Sequence, residues 1–226
     1  MSALSRAIPK TGAKEPVIVA IDGPAGSGKS TLALRLAAHY GLRLLDTGLL
    51  YRAVARRLLD EGIDPANEAA AVSAANGLGA GDLVLSRLRG EETGNGASVV
   101  AAMPAVRAAL LPVQRRIGAE GRGRIVVGRD LGTVIFPETP HKFFVTASVE
   151  ARARRRHEEL LNRGEEPIYA RVLDELKARD RRDEARAVAP LSVAVDATVV
   201  DTSELDIEQA FETVKSLMDE RLGTSP

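Results

Sequence analysis

The chain has 226 residues, 45% of them hydrophobic, a length and composition that exclude a disordered peptide and a large multidomain machine and fit one large domain with inserted pieces. Lys plus Arg and Asp plus Glu each number 31, so the formal net charge is zero and a uniformly basic nucleic-acid coat is excluded. Cys is absent, and with it disulfides, thiolate metal sites and cysteine nucleophiles.

Residues 1–16 carry two prolines and scattered cations but no apolar run of roughly 7–15 residues, so they read as a frayed tail and not as a secretory signal. No window approaches the ~18 consecutive apolar residues of a membrane span, and the expectation is a soluble, cytoplasmic chain without a membrane partner. Residues 17–22, Val-Ile-Val-Ala-Ile-Asp, are apolar without alternation, the pattern of a parallel strand covered on both faces. A glycine-rich break follows, then a helical spacing of Leu32, Ala33, Leu36 and Ala37 over residues 30–40, closed by Gly41. Residues 42–46 predict a second strand and 49–61 an amphipathic helix ending at Gly62.

The stretch 64–103 is Ala-rich and broken by glycines, with only Leu83-Val84-Leu85 resembling a strand, and reads as an inserted subdomain. Pro104 can start a helix to about residue 120, and 124–128 predict a third buried strand with Arg129 and Asp130 at its carboxyl end. Residues 142–146 form a fourth strand, Ser148 caps a helix to about 162, a further helix covers 168–184, and 198–201 form a fifth strand. Asp206 with Gln209 caps a last helix that ends near Leu222. Strands separated by such helices describe an α/β fold: a five-stranded parallel sheet flanked by helices, with ligands at the carboxyl ends of the strands.

Gly23-Pro24-Ala25-Gly26-Ser27-Gly28-Lys29-Ser30 fits G-x-x-x-x-G-K-[ST] at every defined position, between a predicted strand and a predicted helix, with Thr31 next in line. Glycines there let backbone N–H groups converge on phosphate oxygens, the helix amino end adds positive potential, Lys29 reaches the terminal phosphates and the Ser30 hydroxyl suits Mg²⁺. Nucleoside triphosphate binding follows. A GTPase would need an Asn-Lys-x-Asp segment, and no Asn in the chain precedes a Lys, which leaves a small phosphotransferase as the favoured class.

Further segments join that loop: Leu-Leu-Asp-Thr-Gly at 44–48 with Tyr51-Arg52, Gly94-Asn95 with Ala97-Ser98, Val106-Arg107, Gly-Arg-Asp-Leu-Gly-Thr-Val-Ile-Phe-Pro at 128–137, and Arg179-Asp180-Arg-Arg-Asp183 with Arg186-Ala-Val-Ala-Pro-Leu191. In these the sequence resembles the bacterial cytidylate kinases, nucleoside monophosphate kinases of the P-loop class, over about 17–222. The resemblance implies transfer of the ATP γ-phosphoryl group to CMP or dCMP, with Mg²⁺. It also implies a kinase domain over 17–226 with an inserted NMP-binding segment at 63–103 and a lid at 152–168. The nearest alternative activity is a UMP or other small-molecule kinase, and a nucleotide-dependent RNA-interacting regulator is the rival of a different class.

Carried over by position, the resemblance places Arg52, Arg129 and Arg186 on the CMP phosphate, Arg179 and Asp183 on the ribose, with Thr47 and Tyr51 lining the same site. It places Ser98, Arg107 and Asp130 on the base, where a carboxylate and a guanidinium complement the N4 donor and the N3/O2 acceptors of cytosine. Arg152 and Arg156 would close over ATP, Arg156 stabilising charge during transfer, and Asp46 would hold Mg²⁺ through water. Lys29, Arg129, Arg156 and Arg186 are thus the expected catalytic cations. Blander readings stand beside these: Arg52 as a surface arginine, Arg179 and Asp183 as an i,i+4 pair, Asp130 paired with Arg129 or Arg107, Asp46 as a strand-end cap, and Arg152 to Arg156 as a solvated face. The three His, 39, 141 and 157, show no ligand spacing. A monomer without a stable nucleic-acid partner is expected.

Overall fold

The computed structural model describes residues 16–222; the expected tail at 1–16, Pro16 apart, and the last four residues lie outside them. Five strands, β1 (Val17–Asp22), β2 (Arg43–Asp46), β3 (Gly123–Gly128), β4 (His141–Thr146) and β5 (Thr198–Asp201), form one sheet in the order β2-β3-β1-β4-β5. Every pairing is parallel, Val19 opposing Ile125 in β3 and His141 in β4. β1 and β3 lie inside the sheet, and their unbroken apolar runs follow from burial on both faces.

The helices are α1 (Lys29–Tyr40), α2 (Gly48–Asp60), α3 (Glu68–Asn76), α4 (Leu85–Leu88), α5 (Glu91–Val100), α6 (Pro104–Gly118), α7 (Val149–Leu161), α8 (Tyr169–Glu184) and α9 (Ile207–Leu222). Their starts obey local chemistry. Ser148 Oγ accepts from the Ala151 amide at 3.2 Å. Asp206 and Gln209 exchange reciprocal bonds, Gln209 N to Asp206 Oδ1 at 2.8 Å and Asp206 N to Gln209 Oε1 at 3.0 Å, a capping box that starts α9.

One face of the sheet packs on α1 and α9, with Leu32, Leu36, Val214 and Met218 against Val19, Ile21, Ile125 and Val145. The opposite face meets Leu111 of α6 and the helical turn Leu131–Ile135. A separate apolar cluster joins α2, α3, α5 and α6 through Val54, Leu58, Ala71, Val100 and Leu110, so the segment between α2 and α6 is held by its own core. Leu83-Val84-Leu85 is not a strand: Leu83 ends a 3₁₀ turn that starts at Ala80, and Leu85 opens α4. Val84 and Leu85 are exposed there, and three residues bounded by glycine-rich turns reach no sheet edge on which to pair.

All the loops that carry motif residues emerge at the carboxyl ends of the strands: Gly23 after β1, Thr47 after β2, Arg129 and Asp130 after β3, Ser148 after β4 and Thr202 after β5. Among the described residues no single helix is long and apolar enough to cross a membrane.

Candidate active site

The loop after β1 makes three turns into the left-handed region, at Gly23, Gly26 and Gly28, with φ of 149°, 76° and 82°. At Gly23 a Cβ would fall 2.0 Å from the Val145 carbonyl oxygen, so only glycine lets the loop press against β4. Lys29, buried at the head of α1, donates from Nζ to the Pro24 carbonyl at 2.7 Å. Ser27 Oγ is buried without a hydrogen-bond partner, an acceptor and donor left for a ligand. Ser30 Oγ donates to Asp46 Oδ2 at 2.9 Å, and Asp46 Oδ1 accepts from Gly48 N at 3.0 Å. Asp46 therefore caps the strand end and faces the loop hydroxyl at once. A hydroxyl beside a carboxylate is a hard oxygen pair of the kind that holds Mg²⁺, whose other ligands are usually phosphates and water.

A cavity of about 780 Å³ opens over this loop, a size that suits a nucleotide. Gly26 to Thr31 line it, Arg52, Arg156 and Arg179 come to it from α2, α7 and α8, and Thr202, Leu205, Asp206 and Ile207 close one wall. Its cations are crowded. Burial, then the neighbouring Arg129 and Arg179 guanidiniums, pull Lys29 well below the usual ammonium range. Burial and then Arg129 press Arg179 down to about 9, and its Nε has no partner. Burial also lowers Arg52, with Arg156 and Arg129 adding to it. Cations pushed together in this way make a site that gains from a polyanion.

Arg129 and Arg186 are both brought to Asp183, which is 1% exposed: Arg129 Nε donates to Oδ2 at 2.9 Å and Arg186 Nη2 donates to Oδ1. Against the cost of burial, Arg129, Arg186 and Arg179 hold that carboxyl below its ordinary range. The i,i+4 bridge from Arg179 to Asp183 does not form; Asp183 takes the other two arginines instead. Arg52 is not a free surface side chain: it donates to the Leu88 carbonyl at 2.9 Å and reaches the Gly90 carbonyl at 3.4 Å, tying α2 to the turn between α4 and α5.

Arg107 and Asp130, expected at the base, pair next to this triad and outside the lining of the cavity. Arg107 Nη2 donates to Asp130 Oδ2 in a buried ion pair, while its Nη1 holds the Ala101 carbonyl at 3.1 Å. The Arg107 guanidinium lies 5.6 Å from the ring centroid of the buried Tyr51. Ser98 Oγ is buried and without a partner, and Thr47 Oγ1 donates to the Val127 carbonyl at 2.8 Å. Arg156 lines the cavity and pairs with Glu159 at 2.8 Å. Arg152, expected over ATP, does not reach the cavity wall: it is buried, bidentate to Asp180 at 3.1 and 2.7 Å, and donates to the carbonyls of Ala25 at 3.0 Å and Ala147 at 2.9 Å. A guanidinium on α7 with a carboxylate facing it from α8 is drawn inward, where the ion pair satisfies it.

The family profile described as cytidylate kinase matches residues 19–220. The chain belongs to the cytidylate kinase family. It is 56% identical over 195 residues to a cytidylate kinase of Methylocella silvestris, covering 86% of this chain and 90% of that one. To a cytidylate kinase of Xanthobacter autotrophicus it is 54% identical over 205 residues, 91% and 98% of the two chains. A solved structure of an uncharacterized protein from Eubacterium ventriosum superposes with a TM-score of 0.51 at 18% identity, covering 90% of this chain and 98% of that one, a likeness of fold.

In this member of the cytidylate kinase family, several residues at the site carry no sequence-derived role. Asp180 stands inside the Arg-Asp motif and holds Arg152. Arg155 donates to Thr202 Oγ1 at 3.1 Å and to the Leu205 carbonyl at 3.2 Å, fixing the cavity wall after β5. Asp22 ends β1 with a buried carboxylate. Asp22 is marked in the sequence as an acid closing an otherwise apolar strand, directly before the glycine-rich loop, and nothing local distinguishes Thr202 or Leu205.

Proposed function

We propose that the chain transfers the γ-phosphoryl group of ATP to CMP or dCMP, giving ADP and CDP or dCDP. The observation that carries this reading is the group of mutually crowded cations, Lys29, Arg52 and Arg179, around the cavity over the phosphate loop. Arg129 and Arg186 lie beside them on Asp183. Two phosphate groups repel as they approach, and fixed cations offset that repulsion most where charge builds up in transfer.

ATP takes the loop 23–31, with Lys29 at its terminal phosphates and Arg156 closing from α7. Ser30, with Asp46 acting through water, would hold Mg²⁺, which would supply neutralisation of phosphate charge. CMP lies with its phosphate among Arg52, Arg129 and Arg186 and its ribose at Arg179 and Asp183. Thr47 and Tyr51 line the site, and Ser98, Arg107 and Asp130 meet the base. An acceptor oxygen of the monophosphate attacks the γ-phosphorus as the bond to the β-phosphate oxygen breaks. A monophosphate with a second pKa of about 6 is already largely dianionic at neutral pH, so no side chain has to remove a proton. Residues 63–103 serve as the nucleoside-closing segment and 152–168 as the lid, in a monomer that works in the cytoplasm.

The RNA-surface reading is disfavoured because Arg52 and Arg179 line a cavity while Arg129 and Arg186 are tied to the buried Asp183, so these arginines are not spread over an open face. A coupled assay on CMP, dCMP, UMP and AMP tests the proposal. CMP and dCMP are turned over with ATP and Mg²⁺, and UMP falls behind by ~10-fold or more, since a site built around a hydrogen bond rejects the analogue lacking it. Absence of turnover with all four rejects the activity, and equal rates for CMP and UMP reject base readout.

A further inference from the structure

Asp22 is the last residue of β1 and is 5% exposed, yet among the described residues no ion pair includes it. Its oxygens are taken by two successive amides of another segment: Leu131 N donates to Oδ1 at 2.9 Å and Gly132 N donates to Oδ2 at 2.8 Å. The two residues just before those amides are Arg129 and Asp130. The residue just after Asp22 is Gly23, whose place is fixed because a Cβ there would overlap the Val145 carbonyl. One carboxylate thus joins two segments, by a covalent link to the phosphate loop and by a pair of hydrogen bonds to the loop after β3.

We propose that Asp22 is a positioning residue, which sets the separation between the phosphate loop and the Arg129-Asp130 segment and so aligns the acceptor nucleotide with the triphosphate. This inference rests on the kinase reading above. A carboxylate is a costly choice for the place: burial pushes its pKa up to about 6, against the pull of the two amides and of Arg129. A neutral Asn or Ser would serve to start a five-residue helical turn. Neither offers two acceptor oxygens to two adjacent amides. An Asn carries one carbonyl oxygen and would turn its own N–H groups toward the second amide. Asp22→Asn therefore removes one of the two links at nearly constant volume.

The experiment compares wild type with Asp22→Asn in the full chain. Steady-state KM is measured for CMP and for ATP, with the CMP to UMP ratio of kcat/KM, and amide hydrogen exchange is followed at residues 129–132. The expected result is a CMP KM raised by about tenfold, the scale of one lost hydrogen bond to a charged group, with a narrower CMP to UMP ratio. The ATP KM should move by less than about twofold, and Leu131 and Gly132 should exchange faster. Equal rises in both KM values with the ratio kept, or unchanged exchange at those amides, overturns the positioning role. Should Asp22→Asn fail to fold, Asp22→Glu keeps both oxygens but moves them by one methylene. A raised CMP KM in that variant supports the proposal, and a wild-type KM overturns it. A wild type that turns over no CMP sinks the kinase reading instead, and the exchange measurement then still decides whether Asp22 holds the loop.

Discussion

Arg152 and Asp180 meet in a buried bidentate pair, and the same guanidinium holds the Ala25 carbonyl of the phosphate loop at 3.0 Å. The pair fastens α8, which carries Arg179 and Asp183, to the loop that carries Lys29. Removing one partner strands the other charge in the interior at a cost of ~3–5 kcal/mol. Asp180→Asn should therefore lower unfolding free energy by about that amount in urea titrations. The double variant Arg152→Met/Asp180→Leu should recover part of it, because apolar groups replace the buried pair at little net cost while the Ala25 and Ala147 carbonyls lose their donor. A double variant as unstable as the sum of the two singles would show that the pair is not coupled.

Lys29 reaches only the Pro24 carbonyl and is buried among other cations, so its positive charge is most strongly sustained when a triphosphate lies over it. Lys29→Ala should lower kcat by roughly 10²–10³, the range for losing one preorganised donor, while thermal unfolding stays close to wild type. Steady-state kinetics beside calorimetry checks this, and activity within threefold of wild type would reject the lysine's role in transfer.

Asp130 is the carboxylate partner of buried Arg107. Asp130→Ala should narrow the CMP to UMP ratio of kcat/KM by about 10–100-fold, since uracil no longer presents an acceptor to a carboxylate. Because Arg107 is then left buried without its partner, the variant should also lose ~3 kcal/mol of stability. A ratio that stays at the wild-type value, measured on folded protein, would show that the base is read elsewhere.

Asp22 gives stability a pH dependence of its own. With its pKa raised from 3.8 to about 6 on folding, the native chain binds more proton than the unfolded chain between those values, so stability falls as pH rises through that window. The full difference is ~3 kcal/mol. Asp183 runs the opposite way: its pKa is lowered, so its contribution is present above the ordinary carboxylate range and is lost as pH falls. Urea unfolding of wild type and Asp22→Asn at about pH 4 and pH 7 separates the two. Wild type should lose roughly 3 kcal/mol relative to the variant over that interval, and a constant difference would contradict the buried charge.

The sheet was legible because burial on both faces leaves an unbroken apolar run, and 17–22, 124–128 and 142–146 all show one. The capping of α9 was legible from Asp206 and Gln209 because that bond is local. Leu83-Val84-Leu85 misleads for the converse reason: β-branched and apolar residues favour a strand only where a sheet edge is within reach, and here none is. At the site, Lys29, Ser30, Arg52 and Arg179 line one cavity, whereas Arg107, Arg129, Asp130 and Arg186 lie outside its lining. The partner chosen by Arg152 could not be read from the chain, since Asp180 lies 28 residues away and only the packing of α7 against α8 makes the two adjacent. Asp22 reaches amides 109 and 110 residues downstream, a distance no periodicity reports.

Asp183 is a built-in counterion, since Arg129 and Arg186 both rest on it. On the assignment proposed above, sugar hydroxyls that engage Asp183 loosen those two guanidiniums just where a phosphate needs them. Grip on the phosphate then depends on the sugar that comes with it. On the same assignment a bare inorganic anion would have to displace the carboxylate unaided.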